Sequence, residues 1–201
     1  MKMTEKILII LLSLIFLGTF IARSLIVKAK TKQTIRASDP LLTASMISTN
    51  LCIFVAIFST SSDNFYHLLG AVLFLRTPAV SYFGLFLFAL SIIMGWFFSA
   101  QLRESWRVGV HDNQKTELIQ SGIYKYIRNP YFLSYYSMFI GQFLVRPSFV
   151  MVVLIAITIA IFHRMVLKEE AYLFTIHGKE YEEYKNITGR YIPNYVIDDR
   201  K

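Results

Sequence analysis

Three polar clusters stand out in an apolar chain, and each carries residue types that can hold a charged small molecule. The first reads Leu102-Arg103-Glu104-Ser105-Trp106-Arg107-Val108-Gly109-Val110. The second runs from Glu117, Leu118 and Ile119 through Gly122 and Tyr124 to Arg128-Asn129-Pro130-Tyr131-Phe132. The third joins Lys168-Glu169-Glu170 to Gly178, Tyr181, Tyr184 and Arg190. Asn129-Pro130 opens a helix: asparagine is a favoured N-cap and proline suits the first helical position. A helix N-terminus also offers free N–H groups and partial positive charge, which suit a carboxylate or phosphate. Arg128 adds a fixed cation or serves as an interfacial anchor, and Tyr131 fits an aromatic belt. Glu169-Glu170 reads as a solvated helix face with i,i+4 partners, or as a carboxylate that grips a ribose hydroxyl or an ammonium group. Tyr181 and Tyr184, three apart, read as packing residues of an amphipathic helix, and Gly178 as a helix-ending glycine.

Other chemistries lack their residues. His67, His111, His163 and His177 have no partner at helical spacing, so no metal site is expected. Cys52 is the lone cysteine, which excludes a disulfide framework and a CxxC site. No GxGxxG, P-loop or GxSxG is present. Asn186-Ile187-Thr188 matches a glycosylation sequon but falls on the side expected to be cytoplasmic.

The elements that must position these clusters are membrane helices. The 201 residues are 55% hydrophobic and 17% charged, with a net charge of +8. Soluble domains are about 25% charged, and a bilayer core needs roughly 20 apolar residues per helix. Spans are expected at residues 7–22, running on toward Val27 with Arg23 near the end; at 41–60 after the cap Asp39-Pro40; and at 79–100. Two shorter runs, 131–145 and 148–162, form an antiparallel hairpin broken at Arg146-Pro147. Residues 65–75 are too short to span and read as a re-entrant or interfacial helix. The start could pass for a signal peptide, but no small-x-small cleavage site follows. The fold class is therefore an all-α integral membrane protein with about five transmembrane helices and an amphipathic cytoplasmic tail from His163. Residues 1–100 hold the first three helices, and 101–201 hold the loop, hairpin and tail.

Charge placement sets the expected orientation. Of the 21 lysines and arginines, Lys2, Lys6, Arg76 and Arg146 fall on one side and the remaining seventeen on the other. The positive-inside rule puts the N-terminus outside and the C-terminus in the cytoplasm. The basic excess is thus topological, and nucleic-acid binding is not expected.

The order Ser105-Trp106-Arg107-Val108-Gly109, Leu118-Ile119-Gln120-Ser121-Gly122-Ile123-Tyr124, Arg128-Asn129-Pro130-Tyr131, Glu169-Glu170, Gly178, Tyr181, Tyr184 and Arg190 closely resembles the isoprenylcysteine carboxyl methyltransferase family. Phospholipid methyltransferases are its more distant relatives. The likeness covers about residues 102–193. It implies a membrane methyltransferase that uses S-adenosyl-L-methionine without a Rossmann domain, in a site closed by the tail. Carried over, the cofactor contacts are Glu117, Leu118, Ile119, Tyr124, Asn129, Pro130, Tyr131, Phe132 and Glu169. Many members have histidine where this chain has Asn129, which keeps a hydrogen-bonding amide but cannot be protonated. An arginine before the paired acids meets substrate in relatives. Met165 falls at that place here and Arg164 one residue away.

A sulfonium methyl is already activated, and an ionised carboxylate acceptor needs no general base. Catalysis is then positioning and desolvation, with Arg128 or Arg164 orienting the acceptor. The expected partners are a lipophilic or prenylated acceptor entering from the bilayer, and membrane lipids. Two other classes compete. A sterol-reductase-like enzyme would bind NADPH and carry more basic residues for its 2′-phosphate. A transporter or scaffold would carry ionisable residues deep in its spans, where this chain has almost none.

Overall fold

The computed structural model describes residues 3–32, 39–106 and 117–194, with the side chain of residue 104 undescribed. Arg36, Arg107, Val108, Gly109, Val110, His111, Lys115, Arg200 and Lys201 of the sequence reading lie outside the described residues. Among the described residues the chain is all-helical, with two isolated bridges and no strand. The helices are α1 (Met3–Thr31), α2 (Pro40–Ser61), α3 (Asp63–Leu68), α4 (Pro78–Gln101), α5 (Pro130–Val145), α6 (Phe149–His177) and α7 (Lys179–Ile187).

Helices α1, α2, α4 and α6 are long and apolar enough to cross a membrane. Five spans were expected. Helix α5 has 16 residues, about 24 Å, and falls short of the roughly 30 Å core. Pro130 starts it and Arg146-Pro147 stops it, so it cannot lengthen at either end. Helix α6 differs in the other direction. Its apolar run stops at Phe162, yet the helix continues unbroken to His177. The first part of the expected tail is therefore a rigid extension of a membrane helix.

Local rules account for the ends. Asp39 caps α2 by accepting the Leu41 N–H at 2.9 Å, with Pro40 next in line. Ser148 caps α6 by accepting from the Met151 N–H. The run at 65–75 is not one helix. Helix α3 ends at Leu68, Gly70 takes φ +71°, and a 3-10 turn follows at Leu73–Leu75. This segment packs on the α5–α6 turn, where the Val72 N–H donates to the Pro147 carbonyl at 2.8 Å. Arg146, buried beneath it, donates to the Ser59 carbonyl and to Asp63, and lies 4.1 Å over the Tyr66 ring. Hydrogen bonding to Arg146 holds the Asp63 carboxyl below its ordinary range.

Helices α4 and α5 meet backbone to backbone. A Cβ on Gly84 would stand 2.7 Å from the Gly141 carbonyl, and one on Gly141 would stand 2.7 Å from the Gly84 carbonyl. In lipid there is no hydrophobic drive between helices, so small residues that allow close approach set such crossings.

Arg23, expected near the end of the first span, lies inside α1. It is buried within α1 and donates through Nη2 to the carbonyls of Ser99 and Arg103, each at 2.7 Å. The last carbonyls of a helix have no partner inside it. A cation there satisfies them and complements the helix dipole. Helix α1 is thereby tied to the end of α4 and to Trp106, over whose ring Arg23 sits at 5.9 Å.

Candidate active site

Helical periodicity builds a cavity of about 190 Å³ at the end of the bundle where α4 stops and α5 starts. Helix α6 presents Phe162, Met165, Lys168, Glu169, Tyr172 and Leu173, one stripe with steps of three and four. Helix α2 presents Leu42, Ser45, Met46, Thr49 and Asn50 in the same way, and α1 adds Phe16, Leu17 and Phe20. Helix α5 contributes Tyr131, Phe132 and Tyr135. The loops and tail close the other end with Trp106, Glu117, Leu118, Ile119, Tyr124, Asn129, Tyr181 and Tyr184. One end is thus apolar and set among membrane helices. The other is polar and covered by the tail.

The cover is held by a carboxylate. Glu170 is buried and accepts from Arg128 Nε at 3.3 Å, Asn129 Nδ2 at 3.0 Å and Arg190 Nη2 at 2.8 Å. Arg128 Nη1 also donates to the Lys185 carbonyl at 2.9 Å and to the Thr188 carbonyl. Backbone bonds finish the seam, from the Arg128 N–H to Gly189 and from the Asn129 N–H to Arg190. The Glu170 carboxylate holds the Arg190 guanidinium above its ordinary value. The chain reverses at Gly178, whose φ of +54° with ψ of −122° is open only to glycine. Helix α7 then lays Tyr181 and Tyr184 over the cavity.

Tyr184 donates its hydroxyl to the Tyr124 carbonyl at 2.6 Å, and Tyr124 donates to the Phe98 carbonyl at 3.3 Å. Burial, and then the nearby Glu169 charge, push the Tyr124 hydroxyl well above its ordinary value. Both phenols act as neutral donors that fix the loop to the tail. Trp106 is fully buried and meets Tyr131 edge-on at 6.1 Å, and Tyr131 meets Tyr135 at 5.5 Å. These rings form an aromatic wall.

The structure brings together Glu117, Leu118, Ile119, Tyr124, Arg128, Asn129, Tyr131, Phe132 and Glu169 in the cavity wall. Pro130 is buried at the first position of α5 and does not reach the wall. Arg164 is exposed and lies outside it, while Met165 faces in. Arg128 reaches the wall with its guanidinium already engaged by Glu170 and the end of α7. Asn129 occupies the N-cap position, but its side chain makes no capping bond and turns to Glu170 instead. Of the paired acids, Glu170 is the clamp and Glu169 faces the cavity.

Sequence reasoning named Lys168 in the third cluster without giving it a role, and missed Asp39 and the contributions of α1 and α2 to the wall. The steps of three and four in residues 42–50 were the available signal.

The donor set fits a cofactor with hydroxyls, an ammonium and a sulfonium. Glu169 supplies a carboxylate acceptor, residues 117–119 supply backbone, and the aromatic wall supplies π faces that attract a cation. No group of three or more His, Cys, Asp or Glu side chains able to hold a metal occurs among the described residues.

The family model for phospholipid methyltransferases (PEMT) matches residues 79–180. A curated relative, the protein-S-isoprenylcysteine O-methyltransferase of Schizosaccharomyces pombe, is 29% identical over 82 residues. That alignment covers 40% of this chain and 35% of the relative, so the chain matches about a third of that protein's length.

Proposed function

Because the chain belongs to the phospholipid methyltransferase family, we propose that it transfers a methyl group from S-adenosyl-L-methionine to a lipid-like or prenylated acceptor at the membrane. The acceptor group is a carboxylate, and the reaction is O-methylation. The observation that carries this is the two-ended cavity, whose polar, tail-covered end holds Glu169 and whose apolar end lies among α1, α2 and α6. A polar cofactor and a lipid tail need that pairing of environments in one space.

The cofactor, when bound, supplies a methyl group already activated on a positive sulfur. Glu169 accepts from its hydroxyls or ammonium. Tyr131, packed beside Trp106 in the wall, offers an aromatic surface toward the positive centre. Residues 117–119 and Tyr124 line its other side, and Tyr181 and Tyr184 keep water out. A carboxylate oxygen is nucleophilic without losing a proton, so no base is required of the chain. What the residues contribute is orientation in a closed space. In this reading the N-terminus lies outside, the C-terminus lies in the cytoplasm, and the acceptor enters sideways from the bilayer.

Calorimetric titration of the detergent-purified protein with S-adenosylhomocysteine, with NADPH in parallel, tests the reading. Binding of the first alone is the expected result. Binding of NADPH alone would assign a reductase. Binding of neither to folded protein would leave the motifs as marks of ancestry.

A further inference from the structure

The cavity wall contains two cations among the described residues, and they differ in what they are free to do. Arg128 is tied into the seam, through Nε to Glu170 and through Nη1 to the Lys185 and Thr188 carbonyls. Among the described residues the partner of Lys168 is Asp39, whose Oδ2 accepts from Nζ at 2.7 Å. An ammonium carries three donors, so two remain. Lys168 is about half exposed and lines the cavity. It stands beside Glu169 and nearly two turns along the α6 stripe from Phe162. Six residues of helix place it about 9 Å beyond the apolar end. A lipid chain lying against Phe162 and Met46 would bring its headgroup to this level.

We propose that Lys168 binds the anionic group of the acceptor, and that Asp39 is the internal anion holding Lys168 in place until the acceptor arrives. The proposal rests on the methyl-transfer reading in calling this ligand the acceptor. The chemistry recognised is a lipid bearing a carboxylate or phosphate at the bilayer boundary. Asp39 suits the holding role because its Oδ1 also caps α2 through the Leu41 N–H. The competing anion is therefore fixed in position, and its carboxyl is held below its ordinary range by the Lys168 hydrogen bond. Arg164 lies outside the wall and Arg128 is held by Glu170 and the end of α7, whereas Lys168 is paired with a single carboxylate.

The test is direct binding to the full chain in detergent. The probes are N-acetyl-S-farnesylcysteine, its carboxamide and lysophosphatidic acid, with S-adenosylhomocysteine binding measured alongside. Lys168→Gln weakens the anionic probe by about tenfold, the worth of a hydrogen bond to a charged group. It leaves the carboxamide and S-adenosylhomocysteine within about twofold, and Lys168→Arg restores binding. Asp39→Asn keeps a good cap and removes the competitor, so it tightens the same probe. A purely structural ion pair would make both variants shift binding in the same direction or not at all, and that result overturns the proposal. Failure of the wild type to bind either anionic probe overturns it too. Preference between the carboxylate and phosphate probes identifies the headgroup. If the anionic probe binds through Lys168 while S-adenosylhomocysteine does not bind, the methyl-transfer reading falls and the anion site stands.

Discussion

Asn129 donates its side-chain amide to Glu170 at 3.0 Å instead of capping the helix that begins beside it. Arg128 and Arg190 converge on the same carboxylate. The polar seam between the start of α5, the body of α6 and the tail thus has one anion at its centre.

Replacing Glu170 with Ala leaves the Arg128 guanidinium uncompensated in a buried site. Removing one member of a buried pair costs about 3 kcal/mol or more. The expected result is release of the tail, seen as faster limited proteolysis within residues 179–194 and a lower thermal midpoint. Unchanged proteolysis would show that the backbone seam alone holds the cover.

Glu169→Gln gives the complementary outcome. Its side chain faces the cavity, so stability stays within about 0.5 kcal/mol. Affinity for S-adenosylhomocysteine falls by about tenfold. Calorimetry and a thermal melt on the same preparation separate the two acids. A large loss of midpoint without loss of affinity would reverse their roles.

The backbone contact between Gly84 and Gly141 makes a sharp packing prediction. Gly141→Leu forces α4 and α5 apart and costs about 3 kcal/mol or more. Gly18→Leu, at a position with open space around it, changes stability by about 0.5 kcal/mol or less. Detergent melting curves of the two variants check the contrast.

Arg23→Met strips the carbonyls of Ser99 and Arg103 of their donor and costs about 1–3 kcal/mol. It also removes the cation over Trp106. In a Trp96→Phe background, Trp106 emission is expected to shift to the red as the cavity wall loosens.

The Asp63 carboxyl is depressed by Arg146, so the unfolded state takes up the proton first. The contribution of this pair is complete above about pH 4, the unfolded value, and is lost as pH falls through the lower folded value. Asp63→Asn should flatten the fall of the thermal midpoint with acid in that range and leave the neutral-pH slope alone.

What could be read from the chain followed from residues with one strong local preference. Pro40 and Pro130 each stand at the first position of a helix, and Arg146-Pro147 marks a real break. Gly178 was legible as the end of a helix, but that this helix runs unbroken from Phe149 was not. Hydropathy reports where lipid ends, whereas Lys168, Glu169 and Glu170 are good helix formers that carry the helix onward. The division of labour between Glu169 and Glu170 was invisible for a related reason. Adjacent residues differ by about 100° around a helix, and only the packed neighbours decide which one faces the cavity. The same one-residue ambiguity put Arg164 in the expected site and left Met165 in the wall. The part played by α1 and α2 was hidden because their apolar residues serve lipid and cavity alike.

Phe16, Phe20, Leu42, Met46 and Asn50 line the apolar end of the cavity yet precede the family-matched residues 79–180. Glu169, Asn129 and Tyr131 lie within them. The family match therefore covers one part of the cavity wall and leaves the part built by α1 and α2 outside it. A relative's acceptor accordingly does not travel with the shared segment.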